Sequence, residues 1–543
     1  MGKLVDKVWF TRFLEIIPGF LAWSMLIFPF VLAPFHPEII AYYVLTFSLY
    51  WFVKALNMMR NLLRGFPHLW RNMKINWLER CQLASNNPKK LLESLKNEYQ
   101  KSRKRRDLYD FEELANLKGH FNLIKDWREI YQVVFITNYR EELYITEPSF
   151  EAIKNSNYPN DKIIVVSCGE KRDKENYLKV KKGLEKKYKG VFLDMLFFMH
   201  EDKDGEVKGK GSNIYSAGHK FIGYMRKNHP EIKPENVLVT NLDGDHIVHR
   251  EYFARLTYKY TIDPNRDRKT YQPVPVLFNN IWDAPAPNRV CAMSSSFFQI
   301  VEAVRPFRLK TFASHSQSLQ TLLITDFWSN KTIVEDGHQF WRTYFAYNGD
   351  HEMVALFIPI YQDCVLAETY YATFKNQYLQ MRRWAWGISD FPFVIKGYIK
   401  HPEISLGEKF LQVFRFFSGH FSWSTASFML AFAWIPLLFN QDFQDTVLAH
   451  NVTVVSSTIM NLAWVTLFAN IWVFFTLLPP KPRHRRKTRY LGLVLQWILV
   501  PVVALFFSAI PALESQTRLM LGKYLDVFWS TPKIRKTKVE HNY

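Results

Sequence analysis

Three short clusters carry residue types suited to chemistry on an anionic, sugar-bearing ligand. In Gln380-Met381-Arg382-Arg383-Trp384, helical spacing sets Gln380, Arg383 and Trp384 on one face. That face offers an amide, a fixed cation and an aromatic plane. Arg binds phosphate bidentately and Trp stacks on a sugar's C–H face, so the set suits a diphosphate beside a sugar ring. Taken alone, the same five residues also read as an amphipathic helix at a membrane surface. The second cluster, Asn241-Leu242-Asp243-Gly244-Asp245, follows the apolar run Val237–Thr240. Carboxylates at the end of a strand can reach a divalent cation bridging two phosphates, although Asp-Gly is also an ordinary turn pair. The third, Ile333-Val334-Glu335-Asp336, again places carboxylates after apolar residues. There Asp336 can take a proton from an attacking hydroxyl, or simply cap a surface helix. Upstream, Lys208-Gly209-Lys210-Gly211-Ser212-Asn213 opens a helix with a basic, glycine-bearing loop. Backbone amides, a helix N-terminus and Lys210 favour phosphate there. The spacing is not that of a P-loop, so an ATPase is not read.

The elements that must position these clusters follow from composition and pattern. The chain has 543 residues, 48% of them hydrophobic and 16% aromatic, with a mean hydropathy of −0.16. These values fit a water-facing region fused to a few membrane spans. Segments 13–35, 39–56, 421–439, 458–478 and 490–513 are candidate spans by length and apolarity. The first is long, aromatic-rich and followed at once by the second, unlike a cleaved signal peptide.

The net charge is +20, and much of the excess flanks apolar segments: Lys54, Arg60, Arg64 and Arg71 after one, Lys481 to Arg489 between two others. That marks cytoplasmic loops facing anionic lipid. No motif of a nucleic-acid-binding fold is present, so nucleic acid is not expected as a partner. Cys81, Cys168, Cys291 and Cys364 are far apart, which predicts neither a disulfide framework nor a zinc site. The expected setting is an integral protein of the plasma or inner membrane with its catalytic domain in the cytosol.

The expected organisation is a transmembrane hairpin (1–57), a charged helical segment (58–126), a catalytic domain (127–385), interfacial amphipathic helices (386–420), transmembrane helices (421–513) and a basic tail (514–543). In the catalytic stretch, the runs Tyr131–Thr137, Ile163–Ser167, Phe192–Phe198 and Val237–Thr240 alternate with helical stretches such as Glu142–Asn155 and Lys174–Lys187. This predicts an α/β, Rossmann-like, mostly parallel sheet with helices on both faces and ligands beyond the carboxyl ends of the strands.

The order of these clusters and the topology around them resemble the membrane-embedded family 2 glycosyltransferases, which include cellulose, chitin and hyaluronan synthases. The resemblance covers most of the chain. It implies a GT-A type catalytic domain plus an α-helical transmembrane region. It further implies inverting, metal-dependent transfer of a sugar from a nucleotide sugar such as a UDP-sugar to a growing glycan, that is polysaccharide biosynthesis, coupled to translocation. A single addition to a membrane lipid acceptor, or an inactive membrane scaffold or channel, are the alternatives. On this resemblance Asp245, with Asp243, would hold Mg²⁺ or Mn²⁺ on a nucleoside diphosphate. Asp336 would be the base and Glu335 would shape its environment. Gln380, Arg383 and Trp384 would hold diphosphate and acceptor sugar. Tyr139, in the motif ending at Glu141, would stack on uracil beside that carboxylate, Lys210 would contact the nucleotide sugar, and Phe312–Ser318 would form an acceptor-binding loop.

Two departures stand out. The family's second strand usually ends in an Asp-rich turn, whereas here Ile164 to Glu170 is followed by Asp173, which leaves open which carboxylate meets the base. Five spans would also put the C-terminus outside, while Lys533-Ile534-Arg535-Lys536-Thr537-Lys538 argues for inside. Pro501 and Pro511 interrupt the last apolar segment.

Overall fold

A computed structural model describes residues 7–483 and 488–536. Arg485, Arg486 and Lys487 of the basic loop, and Thr537 and Lys538 of the tail, lie outside the described residues. The chain forms two compact units. The described residues of one are 7–63, 280–297, 364–483 and 488–532, and those of the other are 64–279, 298–363 and 533–536.

The second unit is built on an eight-stranded sheet: β1 Tyr131–Thr137, β2 Ile163–Glu170, β3 Asp194–His200, β4 Val237–Asp243, β5 Ile247–Val248, β6 Lys269–Val276, β7 Ser316–Ser318 and β8 Glu352–Tyr361. Their order is β3-β2-β1-β4-β7-β6-β8-β5. β3, β2, β1 and β4 are all parallel. Alternation explains why this half is buried on both sides. Val133, Phe135, Ile164 and Val166 pack on Ile214, Phe221 and Trp328. Val134, Ile136, Ile163 and Val165 share the opposite core with Phe150, Leu184 and Tyr188. Strands covered on both faces read as continuous apolar runs, and β1 begins and ends where its run does.

The other half departs from the expected mostly parallel sheet. β7 runs antiparallel to β4 and to β6, and β5 antiparallel to β8, while β6 and β8 pair in parallel with a bulge between Gln272 and Val274. The reversal has a positional consequence. β1, β4 and β8 deliver their carboxyl ends to one edge of the sheet. β7, running the other way, brings the segment preceding it, Phe312–His315, to that same edge. Before β1, the helices Trp77–Asn86, Pro88–Ser102 and Arg105–Ala115 fill the expected charged segment. They are joined through Arg71 and Arg80, which both pair with Asp110 and Glu98.

The first unit holds most of the long apolar helices. Among the described residues, five helical segments are long and apolar enough to cross a membrane: Val8–Leu32, Pro37–Asn72, Leu406–Phe439, Val447–Leu477 and Arg489–Met520. Ala33, Ile40 and Val44 of the N-terminal hairpin pack with Met429, Ala433 and Leu437. The expected interfacial stretch forms a helix at Phe391–Lys400, but residues 406–418 belong to the same helix as the third span, Leu406–Phe432. The last segment changes geometry repeatedly: α over Arg489–Leu495, 3₁₀ over Gln496–Leu499, α over Val500–Ala504, π over Leu505–Ala509 and α over Ile510–Met520. Pro501 and Pro511 sit in the first turn of their helices, where a missing N–H costs least. Gly19 lies where a Cβ would stand 2.7 Å from the Gln516 carbonyl oxygen, so only glycine lets the two helices meet there.

Candidate active site

The site grows from the carboxyl end of β4. Leu242 turns into the core, and the chain then presents Asp243-Gly244-Asp245-His246 before β5 resumes pairing at Ile247. Gly244 is pressed against β1: an added Cβ would sit 3.2 Å from the Thr137 carbonyl oxygen. Ser149 Oγ donates to the Gly244 carbonyl at 2.9 Å. The loop is therefore held from both sides, with its carboxylates at the sheet edge.

Asp245 is buried and fully engaged. Its Oδ2 accepts from the Asp363 backbone N–H at 2.9 Å, and its Oδ1 pairs with Lys533 Nζ. Asp243 Oδ1 lies 2.7 Å from Lys210 Nζ. Burial alone would raise the pKa of both aspartates. Lys210 and His246 hold Asp243 well below the usual carboxylate range, and Lys533 and His246 lower Asp245 likewise. Both are ionised at neutral pH.

Lys210 is the first residue of the helix Lys210–Asn228. Next to it, Gly211 leaves room for the loop around Ser329, whose carbonyl oxygen would lie 2.5 Å from an added Cβ. The Lys210 ammonium thereby sits among three carboxylates: Asp243, Asp336 Oδ2 at 3.5 Å and Glu335 Oε1 at 3.9 Å. Burial would lower its pKa, but Asp243, Asp336 and Glu335 together raise it, and it stays charged.

Glu335 and Asp336 open the helix Glu335–Ala346, where the amide dipoles favour negative charge. Glu335 is buried. Asn241 Nδ2 donates to Asp336 Oδ1 at 3.3 Å, and Thr311 Oγ1 donates to the Asp336 carbonyl at 2.5 Å. His315 Nδ1 lies 3.8 Å from Asp336 Oδ1. Its tautomer follows from its partners. Trp328 Nε1–H can only donate, at 2.9 Å, so Nε2 accepts, and Nδ1–H donates to the Phe312 carbonyl at 2.9 Å. Burial lowers the His315 pKa and keeps the ring neutral.

His246 completes a group with Asp243 and Asp245 whose ligand atoms lie within 4.8 Å of one another. Its Nδ1 accepts the Asp243 backbone N–H at 3.1 Å and faces Ser314 Oγ at 2.9 Å. A neutral ring accepting at Nδ1 carries its proton on Nε2, 3.5 Å from Asp243 Oδ2. In this arrangement the protonated Nε2 of His246 faces both carboxylates, 3.5 Å from Asp243 and 3.9 Å from Asp245, and the two aspartates supply the hard oxygen donors that suit Mg²⁺ or Mn²⁺.

At the end of β1, the Glu141 carboxylate folds back to accept the Tyr139 backbone N–H at 2.6 Å and lies 3.1 Å from Lys533 Nζ. Burial raises the Glu141 pKa more than Lys533 lowers it. The Tyr139 ring stands beneath the Arg172 guanidinium, 4.2 Å from its centroid. Arg172 in turn pairs with the buried Glu170. Asp173 instead accepts the Arg140 backbone N–H at 2.7 Å, where Arg140 has a φ of 71°. Of the two acidic residues near the end of β2, Glu170 is therefore coupled to the tyrosine ring, through Arg172, while Asp173 shapes a turn.

Tyr139, Glu141, Lys210, Asp243, Asp245, Glu335 and Asp336 thus lie in one unit. Gln380, Arg383 and Trp384 lie in the other, on the helix Tyr370–Ala385. There Gln377 Nε2 donates weakly to Gln380 Oε1 at 3.5 Å, and the Arg383 guanidinium stacks 4.2 Å from the Phe528 ring centroid. The neighbouring Arg382 donates to Glu514 at 2.8 Å, a carboxylate shared with Tyr378 and Arg518.

Sequence reasoning missed Asn241, His246, Asp363, Lys533 and Arg535. Asp363 had a legible signal, since it follows the apolar strand β8 much as Asp243 closes β4. His246 stood three residues from Asp243. The tail residues carried none beyond their charge.

No protein-family profile matches the sequence, and no curated protein matches it. Several solved structures overlap the chain loosely. The mannosyltransferase PcManGT from Pyrobaculum calidifontis, in complex with GDP-Man and Mn²⁺, is 12% identical over 63% of this chain and 87% of its own, with a TM-score of 0.35. GalNAc-T7 with UDP, GalNAc and Mn²⁺ is 10% identical over 54% and 58%, with a TM-score of 0.33. Residues 1–349 of S. aureus TarS in complex with UDP are 13% identical over 62% and 90%, with a TM-score of 0.32. Overlaps of this size carry no argument about activity, which rests on the chemistry of the site.

Proposed function

We propose that the chain is a glycosyltransferase that moves a sugar from a nucleotide sugar to a carbohydrate acceptor at the cytosolic face of a membrane, extending a glycan. One observation carries the reading. Asp243, one of a carboxylate pair with Asp245 fit for a divalent cation, and a separate carboxylate fit for base catalysis, Asp336, converge on one ammonium, Lys210, at 2.7 Å from Asp243 and 3.5 Å from Asp336. Diphosphate chemistry needs the first pair, and hydroxyl activation needs the second group.

Asp243 and Asp245 would hold Mg²⁺ or Mn²⁺, which when bound neutralises charge building on the leaving diphosphate. Asp336 takes the proton of the acceptor hydroxyl as its oxygen attacks the anomeric carbon. The carbon–oxygen bond to the diphosphate breaks from the opposite side, inverting the centre and releasing the nucleoside diphosphate. Asn241 aims Asp336 by donating to Oδ1, and Glu335 helps keep Lys210 charged. Tyr139 offers its ring to a base such as uracil, with Arg172 covering it. Gln380, Arg383 and Trp384 are assigned to diphosphate and acceptor sugar on the strength of their residue types.

The test is release of nucleoside diphosphate from a panel of UDP-sugars by the full chain in detergent or nanodiscs, with Mn²⁺ and with EDTA. Asp245→Asn should lower turnover by at least a hundredfold, and chelation should mimic it. Full activity in excess EDTA would refute the metal role.

A further inference from the structure

The cation site at the end of β4 is already engaged by the chain's own tail. Lys533 Nζ sits against Asp245 Oδ1 and lies 3.1 Å from Glu141 Oε1. Two residues on, Arg535 clamps Asp363. Its Nε is 3.0 Å from both carboxylate oxygens and its Nη2 is 2.8 Å from Oδ1. Nη2 also donates to the Asp245 carbonyl at 3.1 Å, and Nη1 to the Ile145 carbonyl at 3.3 Å. Arg535 and Asp363 are almost wholly enclosed, at 3% and 1% side-chain exposure. The segment from Leu521 to Lys536 has no helix; Tyr524 on Glu15, Trp529 on Asn376 and Phe528 under Arg383 hold its first part, and Lys533 and Arg535 hold its end against the acidic cluster.

Both oxygens of Asp245 already accept from a donor. Oδ2 is committed to the Asp363 N–H and Oδ1 to Lys533. A divalent cation must approach a carboxylate oxygen to about 2.0–2.2 Å, inside the volume that the ammonium fills. The ammonium therefore competes with a cation for Oδ1 through like charge and occupied volume. Arg535 ties the same exclusion to Asp363, whose backbone orients Asp245.

We propose that Lys533–Arg535 is a tethered competitor of the divalent cation: the tail covers Asp245, and the metal enters only as Lys533 leaves it. This rests on the metal reading above and adds that the resting chain is self-inhibited. A metal-charged donor would then have to displace the tail, which links donor arrival to exposure of residues 533–535.

The experiment titrates Mn²⁺ alone into the full-length protein and follows free Mn²⁺ by electron paramagnetic resonance. Losing a charge-assisted contact of this kind corresponds to roughly ten- to a hundredfold in an equilibrium constant. Lys533→Met should therefore bind Mn²⁺ tighter than wild type by about that factor, Lys533→Arg should stay near wild type, and Asp245→Asn should lose the site. Equal affinity for wild type and Lys533→Met, with Asp245→Asn still defective, would overturn the competition and spare the metal site. Mn²⁺ binding by none of the proteins would sink the metal reading and this inference with it. A second arm needs no substitution: saturating Mn²⁺ should make wild-type protein cleavable by trypsin after Lys533 and Arg535. Unchanged protection of these bonds at saturating Mn²⁺ would refute the displacement.

Discussion

Replacing Lys210 by methionine removes the one ammonium that Asp243, Glu335 and Asp336 share, while keeping the length of its stem. Lys210 is 6% exposed and Glu335 2%, so the change strands charge in a poorly solvated place. Breaking a buried pair costs about 3–5 kcal/mol. Asp243 is 31% exposed and regains some hydration, which favours the lower end, about 3 kcal/mol. For a unit of this size each kcal/mol moves the unfolding midpoint about 2–4 °C, giving a drop of roughly 6–12 °C. The pH dependence fixes the mechanism. In the wild type the Asp243 pKa is depressed, so its stabilisation is present above the ordinary carboxylate range and fades as pH falls from there toward the depressed folded-state pKa. Without Lys210, Asp243 loses the strongest of the charges that hold its pKa down, His246 and Lys533 remaining, and takes up a proton more readily. The Lys210→Met deficit should therefore shrink as pH falls toward the carboxylate range. Adding Asp243→Asn, which removes the stranded charge, should restore part of the lost midpoint. Thermal unfolding of purified protein by intrinsic fluorescence reads all three. A midpoint within about 2 °C of wild type, a deficit independent of pH, or no rescue by the double substitution would show that the ammonium does not balance these carboxylates.

Asp336→Asn should lower sugar transfer by about 10²–10⁴ and leave Mn²⁺-dependent UDP binding near wild type; a matching fall in UDP affinity would make Asp336 a neighbour of the metal instead. Arg383→Lys should abolish glycan synthesis, because a point cation reproduces neither a planar fork nor the stacking on Phe528. Arg382→Lys should be far milder, since its single N–H contact with Glu514 is one that an ammonium can make; equal activities of the two variants would refute the assignment.

How much of this was legible from sequence depends on the range of the interactions. β1 was readable to the residue because a strand covered on both faces must be apolar throughout, and Val133 to Ile136 are. β7 was unreadable for the opposite reason. Ser316-Gln317-Ser318 is buried by polar pairing, with Ser316 Oγ 2.7 Å from Thr240 Oγ1 and Gln317 Nε2 donating to Thr270 at 2.7 Å and Thr343 at 2.9 Å. Three polar residues give no periodic signal. β6 hid behind Pro273 and Pro275, which mark a strand interior only where a bulge or edge spares the missing N–H. The acidic motifs could be read as chemistry because each is local and follows an apolar run. Their convergence on Lys210 was not local: 33 and 126 residues separate Lys210 from Asp243 and Asp336 in sequence. The charges at 533 and 535 were indistinguishable from a lipid-facing tail until their carboxylate partners were located.

The grip of Lys533 on Asp245 also constrains how the chain threads a bilayer. Two residues in ion contact share one aqueous compartment, so a chain that leaves that compartment after Asp363 and is back at Lys533 has crossed an even number of times. Three candidate crossings lie between them: Leu406–Phe439, Val447–Leu477 and Arg489–Met520. They cannot all be complete. The last is the odd one out, with 3₁₀ and π turns in its path and Glu514 held between Arg382 and Arg518 near its end. A segment of that kind suits lying along or dipping into one leaflet, where broken backbone and ion pairs meet water or protein. With two crossings before the sheet and two after it, Lys533 would return to the compartment of the sheet.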